Sequence, residues 1–192
     1  LKVIGRAGAG VDTIDVEAAT AKGIAVMNAP DGNTLAAAEH AISLLFSLAR
    51  HVPKADAGMK AGLWPKAGLT GFELEGKRLG VIGLGRIGST VARKAQGIGM
   101  DVAAFDPFLP PPAAAKRILP LNTLDQLLAR ADTVTLHIPR TKDTTNLLSE
   151  TRMRAMKKGA YIINAARGGL VDEAALLRLL TAHPYFDLAA IA

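Results

Sequence analysis

Two hydrophobic periodicities take turns along the chain. Short β-rich runs occur at LKVIG (1–5), IAVMN (24–28), RLGVIG (78–83), DVAAFD (101–106), TVTLHI (133–138) and AYIINA (160–165). Each leads through a turn into a stretch whose apolar positions recur at helical spacing. Strands alternating with helices in this way predict βα units around a parallel sheet, an α/β fold with one core. Several of the runs are apolar without alternation, the pattern of strands covered by helices on both faces. Between 107 and 120 the sequence PFLPPPAAAKRILP has neither period and reads as a surface loop.

The longest helical pattern runs from Asn33 to Trp64. Asn33 or Thr34 can cap it, Ala and Leu favour it, and Pro53 should break or kink it near His51. One apolar stripe is Leu35, Ala38, Ile42, Leu45 and Ala49, and a second is Ala37, Ala41, Leu44 and Leu48, which leaves little polar face. A helix apolar nearly all round is buried on more than one side. It is either a central core helix or one whose second side meets another subunit. The reading adopted is the second, a homodimer interface.

Composition narrows the classes. Hydrophobic residues make up 49% and charged residues 21%, as in ordinary globular domains. The longest apolar run, Ala41–Ala49, is about half the length a bilayer crossing needs and is bounded by Glu39, His40 and Arg50, so no membrane partner is expected. The net charge of +6 is spread along the chain, and one Trp and two Tyr offer little for base stacking, so no nucleic-acid partner is expected either. Absence of cysteine excludes disulfides and thiolate metal sites and fits a reducing compartment, with cytoplasm the default. Leu1 opens directly on a strand pattern without initiator Met or signal region, so the start reads as cut.

The candidate chemistry begins at VIGLGRIG. Gly83, Gly85 and Gly88 follow a strand over Arg78–Ile82 and open a helix. Gly83 permits the tight turn, Gly85 lets backbone approach a pyrophosphate, Gly88 lets helix and strand pack closely, and the helix N-terminus offers free N–H groups to the anion. Asp106 ends the next strand, 18 residues beyond Gly88, where its carboxylate can accept from both adenosine ribose hydroxyls and repel a 2′-phosphate. That favours NAD over NADP. The other glycine cluster, GRAGAGVD, has Thr13 where a third glycine would be needed and is read as having no cofactor role. No carboxylate pair or metal-ligand cluster emerges; Asp172 and Glu173 read as the cap and first-turn acid of a helix.

Several long blocks in order, LKVIGRAGAGVDTIDVEAATAKGI, MNAPDGNTLAAAEH, ELEGKRLGVIGLGRIG, FDP, HIPRTKDTTNLL and MKKGAYIINAARGGLVDEAAL, resemble the nucleotide-binding domain of the D-2-hydroxyacid dehydrogenases over roughly Leu1 to Leu180. The resemblance implies a doubly wound, Rossmann-type NAD-binding domain spanning 1–192. The main part of its substrate domain would lie before Leu1, and the helix after Asn33 would pack at a two-fold dimer interface. It places cofactor contacts on the backbone at Arg86 and Ile87, on Asp106 and Pro107, on Ile138 and Pro139 beside the adenosine, and on Ala165 and Ala166. It places the catalytic arginine on Arg167, which lies just past a strand end, where a guanidinium can hold a carboxylate and polarise a 2-keto oxygen.

The implied reaction is NAD-dependent oxidation of a D-2-hydroxy acid, with 3-phosphoglycerate the first choice. Hydroxypyruvate or glyoxylate reduction is the nearest alternative, and an NAD-sensing protein of the corepressor type is the rival from another class. The family's phosphate-binding cation matches Lys66 only loosely, because the region reads LWPKAGLTG. The family's catalytic glutamate and histidine fall beyond the RGGLVDE helix, and the sequence stops before either position, as expected of a piece of a longer enzyme. His183 reads as a helix-end residue, His40 and His51 as structural, and His137 as a core or supporting residue within a strand.

Overall fold

The computed structural model describes residues 1–64, 66–108 and 118–182. All six expected strands are present: β1 (Val3–Arg6), β2 (Ala25–Asn28), β3 (Arg78–Ile82), β4 (Asp101–Phe105), β6 (Thr133–Leu136) and β7 (Tyr161–Ile163). A further strand, β5 (Ile118–Pro120), corrects the reading of 107–120 as loop throughout, while residues 109–117 of that stretch lie outside the described residues. Ile118–Pro120 follows a Pro/Ala-rich run and itself ends in Pro, which hides any strand period. β5 exists because Val102 and Ala104 of β4 offer it a parallel edge.

The strands form two sheets, where the alternation suggested one. The larger has the order β5-β4-β3-β6-β7 and is parallel throughout, with Ile82 level with Phe105 on one side and Leu136 on the other. The smaller pairs β1 with β2 alone, in parallel through α1 (Val16–Ala21), whose first turn is capped by Asp15 accepting from the Ala18 N–H at 2.8 Å. Residues of β3, β4 and β6 are buried almost throughout, as strands covered on both faces should be. The expectation fails for β1 and β2, where Val3 and Met27 are exposed.

Nor is there one core. Buried side chains form two clusters, one on each face of the large sheet, and adjacent residues of a strand alternate between them: Ile162 joins Leu127, Leu136, Met153 and Leu179, whereas Ile163 joins Ala38, Leu45, Val81 and Val91. The sheet backbone separates the two layers, as the pleat requires. The first layer is built with α5 (Leu124–Leu128), α6 (Glu150–Arg154) and α7 (Glu173–Ala182), the second with α2 (Thr34–Ala49) and α4 (Arg86–Gly97).

The expected break in the long helical pattern is at His51, whose φ of 52° ends α2 and starts α3 (Val52–Lys60) with Pro53 in its first turn. Asn33 precedes α2 without a side-chain capping bond. Ala38, Ala41, Leu45 and Ala49 face the core, drawn from both predicted stripes, while Leu35 and Phe46 remain exposed, as do Met59, Leu63 and Trp64 beyond them. Among the described residues no helix is long and apolar enough to cross a membrane.

Candidate cofactor and substrate site

Parallel register brings the strand ends to one edge. β3, β4, β6 and β7 all finish there, and the chain leaves β3 towards β4 on one side before returning to β6 on the other. At such a reversal the loops diverge and leave a crevice outside the carboxyl ends of the strands. Gly83–Gly88, Asp106 and Pro107, Ile138 and Pro139, and Ala165–Arg167 follow these four strands in turn.

The glycine turn is built as its spacing required. Gly83 has φ of +89°, and a Cβ on it would lie 2.6 Å from Ile138 Cγ2 and 2.7 Å from the His137 carbonyl oxygen. A Cβ on Gly88 would run into the Gly83 carbonyl. Gly85 faces open space and caps α4 in extended conformation, so Arg86 and Ile87 present first-turn N–H groups that no helical carbonyl can satisfy. Asp106 is tied to this turn: Oδ2 accepts from the Leu84 N–H at 2.8 Å, and Oδ1 accepts from the Phe108 N–H at 2.9 Å across the exposed Pro107. Each carboxylate oxygen keeps lone-pair capacity for a hydroxyl. The Arg86 side chain turns aside to Asp31, with Nε 2.6 Å from Oδ1, so backbone rather than guanidinium is offered at the helix start. These features fit a dinucleotide: open backbone at Gly85, donors at the helix N-terminus and an acceptor pair at the next strand end.

Beyond β7 the site changes character. Asn164 is buried; its Nδ2 donates to the Arg167 carbonyl at 2.8 Å, and its Oδ1 accepts from the Ala166 and Arg167 N–H groups at 3.2 and 3.3 Å. One amide thus closes the turn that carries Arg167. The guanidinium is held as well: Nε donates to Asp12 Oδ2 at 2.5 Å and Nη1 to the Ala166 carbonyl at 2.7 Å, while a Cβ on Gly10 would strike Nη2. GRAGAGVD, discounted as a cofactor loop, is therefore the loop that passes over Arg167. Asp12 and Asn164 were missed by the reading of the sequence. The Asn in NAARGG, a short amide just before a glycine-rich turn, was a signal for the second; Asp12 lies 155 positions from its partner and gave none.

Arg167 and Asp12 open onto a cavity of about 430 Å³ that Arg140, Thr141, Lys142 and Thr145 complete. Among the described residues no histidine lines it. His137 follows β6, its N–H donating to the Ile82 carbonyl at 2.8 Å, and its Nε2 pairs with Thr135 Oγ1 at 2.9 Å. Burial pushes its pKa down to about 4. His51 fastens a loop by donating from Nε2 to the Thr70 carbonyl at 3.1 Å. The His40 side chain is exposed on α2 and makes no hydrogen bond among the described residues. His183 lies outside the described residues. Asp172 caps α7, its Oδ1 accepting from the Ala175 N–H at 2.9 Å. Lys66 lines a separate apolar hollow with Ala55, Met59, Trp64 and Leu69.

Residues 42–189 match the family described as D-isomer specific 2-hydroxyacid dehydrogenase, NAD binding domain. The chain belongs to this family. Its NAD-binding domain is the part that matches, and NAD is its cofactor. A D-3-phosphoglycerate dehydrogenase of Archaeoglobus fulgidus is 50% identical over 182 residues, 95% of this chain and 34% of that protein. Among solved structures, a glyoxylate reductase from Paecilomyes thermophila superposes with a TM-score of 0.89 at 35% identity, over 98% of this chain and 58% of that one. D-lactate dehydrogenase from Aquifex aeolicus, complexed with NAD and lactic acid, gives 0.87 at 34% identity, over 98% and 56%. The chain thus spans about a third of the length of the curated relatives it matches.

His137 has a consequence for stability. The folded state keeps the imidazole neutral down to about pH 4, whereas the unfolded chain protonates it near 6.5. Protons therefore favour the unfolded state between these values. Its contribution is complete above pH 6.5 and is lost progressively as pH falls towards 4, by about 3 kcal/mol at most. Urea unfolding from pH 7 to pH 4 should become less pH-dependent in His137→Gln; an unchanged slope would show that His137 does not carry the effect.

Proposed function

We propose that the protein is an NAD-dependent D-2-hydroxyacid dehydrogenase acting on 3-phosphoglycerate, and that residues 1–192 are its nucleotide-binding domain. The observation that carries the reading is Arg167. It stands two strands from the glycine turn, across the end of β6, held by Asn164 and Asp12 in a cavity of its own. The 50% identity to a D-3-phosphoglycerate dehydrogenase, against 35% to a glyoxylate reductase, favours the phosphorylated acid over its unphosphorylated relatives.

In this reading the chain divides its work along the sheet edge. N–H groups at Arg86 and Ile87 hold the diphosphate, Asp106 takes the adenosine ribose hydroxyls with Pro107 shaping its turn, and Ile138 and Pro139 flank the adenosine. Ala165 and Ala166 bring the backbone beside the nicotinamide, which when bound takes or gives a hydride at C4. Arg167 pairs with the substrate carboxylate and stabilises negative charge on the C2 oxygen, a role suited to a planar fork of donors. The hydroxyl proton needs an acceptor. The family resemblance places that acceptor on a histidine beyond the RGGLVDE helix; among the described residues no histidine lines the Arg167 cavity.

Exposed apolar residues on α2 and α3 support a homodimer. Leu35, Phe46, Met59, Leu63 and Trp64 leave apolar surface exposed along α2, α3 and the segment after them, an arrangement that favours a partner of the same kind. The lack of cysteine supports a cytoplasmic setting.

Three measurements test this. Asp106→Ala should weaken NADH binding by about 1.5–3 kcal/mol, roughly ten- to hundredfold, in calorimetry; undiminished affinity removes Asp106 from the ribose site. Arg167→Lys in the full-length enzyme should lower kcat/KM for 3-phosphohydroxypyruvate about 10²-fold or more, whereas near-native turnover refutes the clamp. Light scattering at micromolar concentration should give the mass of a dimer; a monomeric mass excludes the interface.

A further inference from the structure

We propose that the end of the large sheet away from the glycine turn carries a second anion site. It lies in a hollow between the turns that precede β3 and β7, and takes a small organic anion whose phosphate or carboxylate meets Lys77, Lys157 and Lys158 while its apolar body rests against the rings of Phe72 and Tyr161. The site stands apart from the dehydrogenase reading and does not rest on it.

Register assembles the hollow. Leu79 is level with Thr133 and Thr133 with Tyr161, so the residues just ahead of β3, β6 and β7 meet at one edge of the sheet. They enclose about 230 Å³, and among the described residues that line it three lysines face a single acid, Asp132. That acid is already engaged: Oδ2 accepts from the Arg78 N–H at 2.7 Å and Oδ1 from Lys157 Nζ at 2.8 Å. Burial raises the Asp132 pKa, but the Arg78 N–H, Lys157 and Lys77 outweigh it and hold the carboxyl below its ordinary range. The acid therefore stays ionised and paired, and the lining keeps a surplus of two positive charges. Like charges gathered in a concavity repel one another and gain from an anion placed between them.

The backbone that carries the lysines is closed on itself. The Lys77 N–H donates to the Leu74 carbonyl at 3.0 Å, and the Ala160 N–H donates to the Lys157 carbonyl at 3.0 Å through a turn in which Gly159 has φ of +75°. The Tyr161 N–H in turn donates to the Asp132 carbonyl at 3.0 Å, which ties the second turn to β6. Phe72 and Tyr161 are half-buried and stack with ring centroids 4.9 Å apart and planes at 25°, so they present one apolar wall. A bare inorganic ion would leave that wall in water. An organic anion covers it while its charge sits among the ammonium groups, the combination of apolar lining and few polar groups that small-molecule sites use. The N-terminus of α4, which suits the cofactor diphosphate, lies at the other end of β3.

Calorimetry with phenyl phosphate on the NADH-saturated full-length enzyme tests the site with the cofactor crevice filled. The native enzyme should bind it roughly fivefold more tightly than inorganic phosphate, a preference that Phe72→Leu should erase. Lys77→Gln/Lys158→Gln should weaken phenyl phosphate binding about tenfold or more while NADH affinity stays unchanged. No binding to the native enzyme, or binding undiminished in the double variant, overturns the proposal. So does a double variant that loses NADH affinity in step, because its effect then belongs to the cofactor crevice. Equal affinity for the two phosphates, or a preference that survives Phe72→Leu, removes the rings from the site and overturns the organic ligand.

Discussion

The approach of Gly88 to the Gly83 carbonyl decides where the rest of the site can be. A methyl group at either position would collide with backbone, so the turn closes only between two glycines, and its closure seats the start of α4 directly over the end of β3. Three consequences come from that one contact. The first-turn N–H groups of the helix point out of the sheet edge, the Leu84 N–H is left at the height of Asp106, and Gly83 lies against Ile138 at the end of β6. The ends of three strands are thereby joined through a single turn, and the anion-binding geometry of a helix N-terminus is obtained without a charged side chain.

Legibility in the sequence follows the range of the interaction. The six expected strands, the break at His51, the glycine turn and Asp106 are set by local period, local turn chemistry or a fixed distance along one βα unit, and these can be read from residues close together. Strand β5 could not be, because its three residues are a strand only by virtue of the β4 edge beside them. The division into two sheets was hidden for a related reason: βα alternation is the same whether a strand joins the large sheet or pairs apart, and only the exposure of Val3 and Met27 tells the two cases apart. Resemblance supplied Arg167, but it did not supply what holds Arg167. Asn164 acts over three residues and was visible in principle; Asp12 acts across 155 and was not.

How Arg167 is held bears on how the two sheets relate. No residue before Ala38 joins either apolar cluster, so β1, α1 and β2 are attached to the large sheet without sharing its core. Two ion pairs reach across, Arg167 with Asp12 and Arg86 with Asp31, and all four side chains are substantially exposed. Pairs of that kind contribute on the order of 0–1 kcal/mol each, too little to hold a rigid unit against thermal motion or the entropy of ordering its residues. Their effect is directional. One of them fixes the start of the cofactor-binding helix relative to Asp31, and the other fixes the edge of the Arg167 guanidinium that faces the cavity. A shift of the small sheet relative to the large one would therefore change what Arg167 presents, and would reach the glycine turn only through the Arg86–Asp31 pair. The glycine turn and Asp106 thus belong to the large sheet, with Asp31 reaching only the Arg86 side chain, whereas the Arg167 guanidinium is held by residues of both parts.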